Sequence, residues 1–287
     1  MAEQSHVAIE NGYRLAEKGA LYSARAEFLE SLRGIALGLD AHFGESVHTD
    51  SLLAGLRSLK EADDFAATGD RLESPVDVEV VAAAHRTGPH VLASGEESSV
   101  LAMQKYYAFT QDRIVVAAGG SPVAAEALYG LGKVCMALAE QRDSSELMPG
   151  PKAMVYLGAT LSVNPSHAMA ANELGVLYAR LGKLHEARQV LQQSVASRPL
   201  SASWQNLAVV HRRLGETALA DQTHVHSQSL VFSGAGNSAP RGTVQWVAPA
   251  AFAAVGRQSQ VASGGYESQP AQQPARNRTA IRGSGLW

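Results

Sequence analysis

Short strings in this chain match known catalytic motifs only in part. The string GLGK at residues 130–133 ends like a phosphate-binding loop, but it lacks the earlier glycine and the following Ser or Thr. His185-Glu186 begins like a zinc-protease motif, but Gln189 stands where the second histidine is needed. No Gly-x-Ser-x-Gly elbow occurs. We therefore predict that the chain is not an enzyme and that it binds no cofactor.

The last helical segment contains His211, His224 and His226, which raises the question of a metal site. No acidic or sulfur ligand lies at a suitable third spacing, so we predict ordinary histidines in a terminal hairpin and no metal. The single cysteine, Cys135, excludes an intrachain disulfide. We interpret it as a small core residue, with a redox or regulatory role as the alternative.

Small residues recur at fixed offsets and predict the elements that carry these side chains. Gly175 is followed by Gly182 seven residues on and by Ala187 twelve residues on. The same offsets relate Ala208, Gly215 and Ala220, which gives a period of 33 residues, and they also relate Gly12, Gly19 and Ala24. A period of this length predicts stacked helix-turn-helix units, because two helices can approach closely only where side chains are small.

A further unit contains an insertion. Leu131-Gly132 matches Leu174-Gly175 on the predicted first helices, and these two glycines are 43 residues apart. The matching alanines on the second helices, Ala153 and Ala187, are only 34 residues apart. The difference predicts a nine-residue insertion in the turn around 143–150. Such a loop leaves the stacking faces untouched.

These residues together resemble the tetratricopeptide repeat (TPR) family. The matching positions are Leu174-Gly175, Tyr178, Gly182, Ala187, Leu191 and Pro199, with Trp204 as the opening aromatic of the next unit. That last unit departs from the pattern, with His211 for the Tyr and His224 for the large apolar residue. The resemblance implies an all-α fold, a right-handed superhelical array of antiparallel helix pairs. It also implies that the first helices line a concave face that binds a peptide or a protein.

Composition sets outer limits on function. The 287 residues are 46% hydrophobic and 18% charged, with few aromatics, which favours close-packed helices. A net charge of −3 argues against nucleic-acid binding. A polar N-terminus and the lack of an 18-residue apolar run favour a cytoplasmic chain without a membrane span, unless the chain is a fragment of a longer one.

The predicted organisation has four parts. Residues 1–40 form a first hairpin, 41–120 an irregular helical region, 121–230 three hairpins, and 231–287 a disordered tail rich in Gly, Ser, Pro, Gln and Arg. The irregular region fits either degenerate repeats or an insert packed on the array. The tail has a net charge of +4, which leaves −7 for the rest. Within the tail, Thr243–Val255 is apolar enough to dock on a surface or a partner, although plain coil explains it as well.

The favoured function is a protein–protein interaction scaffold, and the alternative is a regulatory or targeting component that acts through its tail and through self-association as a homo-oligomer. The family's clamp for a C-terminal carboxylate needs a Lys and Asn set that this chain lacks. Instead, we expect an extended segment to contact side chains turned away from the packing side of the first helices. These groove candidates are Tyr129, Lys133, Asn172, Val176, Arg180, Gln205, Asn206, Arg212 and Arg213.

Limited proteolysis tests the predicted tail. Cleavage is expected first after Val231, because a segment that buries little apolar surface stays accessible to proteases. The trimmed body should keep the melting temperature of the full chain. A tail that resists cleavage, or a body that unfolds on trimming, would show instead that the segment around Trp246 and Phe252 docks within the chain.

Overall fold

The computed structural model describes residues 2–66, 76–87, 98–141 and 145–232, and in these ranges it contains helices and no strand. The predicted all-α fold is confirmed. The predicted tail begins at residue 231, whereas the last helix extends to Phe232; residues 233–287 lie outside the described residues. The helices are α1 Ala2–Glu17, α2 Leu21–Phe43, α3 Val47–Glu61, a 3-10 helix Ala62–Phe65, α4 Val78–Ala84, α5 Ser99–Ala118, α6 Pro122–Glu140, α7 Pro149–Val163, α8 Ala168–Arg180, α9 Leu184–Ser197, α10 Ser201–Arg213 and α11 Thr217–Phe232.

Four of the helix pairs stack as successive repeats. The pairs are α1 with α2, α6 with α7, α8 with α9, and α10 with α11. The second helix of each pair packs on the first helix of the next, so that α2 contacts α6, α7 contacts α8, and α9 contacts α10. The second repeat in space is therefore α6–α7, although the residues between Phe43 and Pro122 separate it from the first in sequence.

Each of the first three pairs closes where a large apolar side chain meets a glycine. A Cβ atom at Gly175 would lie 2.6 Å from Cγ of Leu191, and one at Gly132 would lie 2.9 Å from Leu157. Gly12 meets Phe28 in the same way, at 2.7 Å. Each of these side chains is buried, so the glycines let the two helix backbones approach closely enough to enclose them.

The turns of three repeats share one geometry. Gly19, Gly182 and Gly215 adopt φ angles of +76°, +76° and +79°, a left-handed region in which glycine is the least strained residue. The N–H of the residue after each glycine donates to the carbonyl five residues earlier, for example Lys183 to Tyr178 at 2.9 Å. This is the Schellman pattern of helix termination, and it fixes the angle at which the second helix returns.

The region between the first two repeats forms a separate helix pair. Helices α3 and α5 pack on each other and contact α2 and α7, the second helices of the first two repeats. This region therefore packs on the second-helix side of the array and leaves α1 next to α6.

The sequence predicts an N-terminal cap for α3 at Thr49-Asp50. The helix instead begins at Val47, because the Asp40 carboxylate of α2 accepts hydrogen bonds from the backbone N–H groups of His48 and Thr49.

A buried ionic cluster joins this inserted pair to the repeats. Lys152 on α7 is 4% exposed and donates to Asp63 of the 3-10 helix at 2.8 Å and to Glu146 at 2.6 Å. Glu146 also accepts from Arg25 of α2 at 2.5 Å. Glu146 belongs to the loop where the nine-residue insertion is predicted. Lys152 therefore contacts both the inserted helix pair and the longer connection between α6 and α7.

Helix α6 is the most deeply enclosed part of the array. Among the described residues, it is the one helix long and apolar enough to cross a membrane, with a mean hydropathy of 1.2. About two thirds of it, 67%, is buried inside the fold. It packs against α1, α2 and α7, and this burial accounts for its apolar composition. Cys135 lies in it, 2% exposed, as predicted for a core residue, and burial raises the pKa of its thiol to about 12.

The close contact of Gly175 with Leu191 makes a stability prediction. Gly175→Leu should lower the free energy of unfolding by about 1–3 kcal/mol, because the added side chain overpacks the α8–α9 contact. Urea denaturation provides the measurement. Gly150→Leu is the matched control, since Gly150 lies in α7 and a Cβ atom there meets no atom within 4 Å. Equal stability of the two variants would contradict the packing account.

Candidate protein-binding face

The first helices of the four repeats lie in one row, joined by polar side-chain contacts. We call the surface made by α1, α6, α8 and α10 the first-helix face. Tyr13 links α1 to α6, and Lys133 links α6 to α8. Asn206 links α10 to α8. The hydrogen bonds follow the order of the repeats in space, which makes the row continuous from α1 to α10.

At the α1–α6 junction, a carboxylate is held between two donors. The Tyr13 hydroxyl donates to Oε1 of Glu126 at 2.5 Å. Nδ1 of His167 accepts from the Ala170 N–H and caps α8, so Nε2 carries the proton and donates to Oε2 of Glu126 at 3.2 Å. Burial by itself raises the pKa of Glu126, but the hydrogen bonds from His167 and Tyr13 outweigh it, and the pKa lies below its ordinary value.

At the α6–α8 junction, the predicted groove residue Lys133 forms an ion pair. Its Nζ lies 2.8 Å from Oε1 of Glu173, whose side chain is 4% exposed. Tyr129 lies four residues before Lys133 on α6, with its ring 4.8 Å from that of His167, and burial raises the pKa of its hydroxyl well above the usual value. A buried ion pair loses hydration on both partners, so its main effect is to fix the register of α6 and α8.

At the α8–α10 junction, two predicted groove residues bond each other and a third caps a helix. Nδ2 of Asn206 donates to Oδ1 of Asn172 at 2.9 Å. Nη1 of Arg213 donates to the carbonyl of Ala179 at 2.9 Å, near the end of α8, where unpaired carbonyls attract positive charge. These contacts repeat the same helix-to-helix link one repeat further along.

The nine groove candidates differ in exposure. Arg180, Gln205, Arg212 and Arg213 are exposed, and Lys133, Val176 and Asn206 are partly buried. Tyr129 and Asn172 are 2% and 7% exposed, so the expectation that they turn away from the packing side is wrong for these two. The reason is the tight stacking of first helices, which encloses the side chains that point along the row. Whether the remaining seven contact a partner stays a prediction.

The histidines of the last repeat have structural roles. His211 is buried, and its Nδ1 lies 2.5 Å from Oε2 of Glu216. Glu216 also accepts from Arg188 at 2.6 Å, which ties the last turn to α9. His224 is exposed and contacts Gln228. His211 thus stands in the place of the family's Tyr and adds a side-chain hydrogen bond to the turn.

Two residues of the face, Glu126 and His167, escaped the sequence analysis. Glu126 lies seven residues before Lys133, and Glu140 seven after it, so all three fall on one stripe of α6. That spacing is the signal that could have identified Glu126. His167 precedes α8 and acts as its cap, a place where Ser, Thr, Asp or Asn is the usual residue.

The sequence profile of the family described as Tetratricopeptide repeat matches residues 155–202, from within α7 to the start of α10. The chain contains a tetratricopeptide repeat. This match confirms the resemblance that rests on Leu174-Gly175 and the residues around it.

Two solved structures are similar to the chain at low identity. A crystal structure of MamA is 17% identical, with a TM-score of 0.35, and the match covers 48% of this chain and 79% of that one. A second, of the MamA protein, is 13% identical with a TM-score of 0.35, and the match covers 83% and 98%. A comparison with curated proteins finds no match.

The Glu126 hydrogen bonds predict a pH-dependent stability. The pKa of Glu126 is lower in the folded chain than in the unfolded chain, where it is near 4.5. Ionised Glu126 therefore stabilises the fold at pH values above 4.5, and this contribution is lost as the pH falls through the pKa of the folded chain. Tyr13→Phe should therefore cost up to about 1 kcal/mol at pH 7, since the carboxylate is partly exposed, and less near pH 3.5. Urea denaturation at both pH values provides the measurement.

The control for this prediction is Tyr22→Phe, because the Tyr22 hydroxyl hydrogen-bonds Ser145, which does not titrate. Its cost should be the same at both pH values. A Tyr13→Phe cost that is also independent of pH would refute the assigned role of Glu126.

Proposed function

We propose that the chain is a non-enzymatic interaction module that binds an extended segment of a partner protein across α8 and α10 of the first-helix face. Tetratricopeptide repeats support a protein-interaction scaffold in general, and the choice of this face and of an extended ligand is our proposal. The observation that carries it is the set of exposed side chains on these two helices that the array itself leaves accessible to solvent. We also propose that this scaffold works in the cytoplasm.

Apolar and cationic side chains alternate on this part of the face. Val209 is 50% exposed on α10, and Val176 is partly buried on α8. Arg180, Arg212 and Arg213 are exposed beside them. Valines can contact the aliphatic parts of a peptide, and arginines can bind carboxylates through two parallel hydrogen bonds. This combination fits an extended segment that leans acidic.

Neighbouring groups moderate the positive charge of these arginines. Arg212 lies 3.8 Å from Asp221, and both side chains are mostly exposed. Arg213 uses one nitrogen for the Ala179 carbonyl. Arg180 lies close enough to Glu140 to lower the pKa of that carboxyl, although burial raises it overall. Each arginine contact is therefore worth about 1 kcal/mol or less, and affinity should be micromolar at best and weaken with salt.

The double variant Arg180→Ala/Arg213→Ala tests the proposal. It should lower affinity for a partner that copurifies with the full chain by about tenfold, through the loss of two surface contacts. Isothermal titration at low and high salt provides the measurement. Arg33→Ala/Lys60→Ala is the matched control, because both residues are exposed on α2 and α3, outside the row.

Thermal melting separates a lost contact from a damaged fold, since Arg213 also caps α8. If the double variant melts like the parent chain and the partner binds it with unchanged affinity at all salt concentrations, the face is not the binding site. Binding would then belong to the inserted helix pair or to the segment after residue 232.

A further inference from the structure

The side-chain charge at equivalent positions of the first-helix face changes sign from α1 to α10. The residue five places after the small packing residue is Glu17 in the first repeat, Ala137 in the second, Arg180 in the third and Arg213 in the fourth. The repeat geometry puts these four side chains in matching places on α1, α6, α8 and α10. The row therefore runs from negative through neutral to positive.

The rest of each first helix follows the same order. Helix α1 carries three glutamates against Arg14, a net charge of −2, and α6 carries two against Lys133, a net charge of −1. Glu173 and Arg180 cancel in α8, and α10 carries Arg212 and Arg213, a net charge of +2. The charge thus rises at every step from α1 to α10, although the chain outside the tail is acidic.

The acidic end is also exposed. The three glutamates of α1 are exposed and lie seven residues apart, so they share one stripe of the helix; they are Glu3, Glu10 and Glu17. Within the described residues, no ion pair involves any of them. By contrast, the Glu126 and Glu173 carboxylates in the middle of the row bond His167 and Lys133. The exposed glutamates therefore lie at the α1 end of the row, and Arg212 and Arg213, which Asp221 and the Ala179 carbonyl engage only in part, lie at the α10 end.

We infer that the first-helix face binds a bipolar segment, with the basic end of the partner against α1 and its acidic end against α10. This inference rests on the proposed function and adds the charge order and orientation of the ligand. Opposite charges at the two ends fix one orientation, because the reversed segment places like charges together at both ends. Neutral residues of the segment lie over α6, and its acidic part begins over α8 at Arg180.

The dimensions of the row set the length of the segment. Packed helices lie about 8–10 Å apart, so three intervals span about 27 Å. An extended chain covers about 3.3 Å per residue, so about eight residues join α1 to α10. A segment of this size holds a cationic end, a neutral middle and an anionic end. A shorter segment cannot contact both charged ends at once.

The experiment uses the full chain and two synthetic peptides of about twelve residues. In the ordered peptide, lysines occupy one end and glutamates the other, with glutamines and valines between. The alternating peptide has the same composition with the charges interspersed. Each correctly placed surface charge can raise affinity by up to about fivefold, and the ordered peptide places several such charges. Fluorescence anisotropy should therefore show that the ordered peptide binds at least about fivefold more tightly than the alternating peptide.

Charge reversal at one end tests the orientation. Glu17→Arg should remove most of the advantage of the ordered peptide, whereas Glu30→Arg, an exposed control on α2, should leave it intact. A photoreactive group at the acidic end of the ordered peptide should label α10 and not α1. These readouts are independent of partner capture, so they can fail while the Arg180→Ala/Arg213→Ala test succeeds.

Three results would overturn the inference. The first is equal affinity for the two peptides, or no measurable binding of either. The second is labelling of α1 by the acidic end. The third is that neither peptide binds, that the parent chain forms a dimer, and that Glu17→Arg dissociates this dimer. The charge order would then serve a contact between two copies of the chain.

Discussion

The whole array depends on the close approach of two helices at one small residue. Gly12, Gly132 and Gly175 each leave room for one large buried side chain from the facing helix, at separations of 2.6–2.9 Å from a hypothetical Cβ atom. That contact sets how closely the two helices of each pair approach, and the pair then presents its second helix to the next repeat. Because the pairs share this geometry, their first helices fall into one row, and the position of every side chain on the first-helix face follows from it.

The chain departs from regular repeats at two places without disturbing the row. Helices α3 and α5, which lie between the first and second repeats in sequence, pack together on the second-helix side. Nine extra residues separate Gly132 from Ala153 in the second repeat, where α6 ends at Glu140 and α7 begins at Pro149. Lys152 holds both, through Asp63 and Glu146. Removing its charge would leave the partly buried Asp63 carboxylate without a cation, while Glu146 would keep Arg25. A buried charge left without its partner costs far more than the pair itself contributes. The ion cluster therefore specifies where the inserted pair docks, while apolar packing supplies the stability.

Periodicity predicted the repeats because it reports contacts between neighbouring helices. The offsets from Gly175 identified the close contact and the turn, and the 43-residue interval indicated the extra length of the second repeat. The site of the inserted pair escaped prediction because no short-range pattern encodes contacts between α3 or α5 and residues far away in sequence. The burial of Tyr129 and Asn172 escaped prediction for a similar reason. A helical wheel shows which residues turn away from the partner helix, but not which of them the next repeat covers.

Photo-crosslinking tests the central claim, that partners bind on the first-helix face, most directly. Benzoylphenylalanine placed at Val209, which is 50% exposed on α10, should yield a covalent adduct with a copurifying protein in cells that produce the full chain. The same residue placed at Val80, which is 66% exposed on α4 of the inserted region, should yield none. Adducts at Val80 with none at Val209 would contradict the account and move the binding surface to the inserted region.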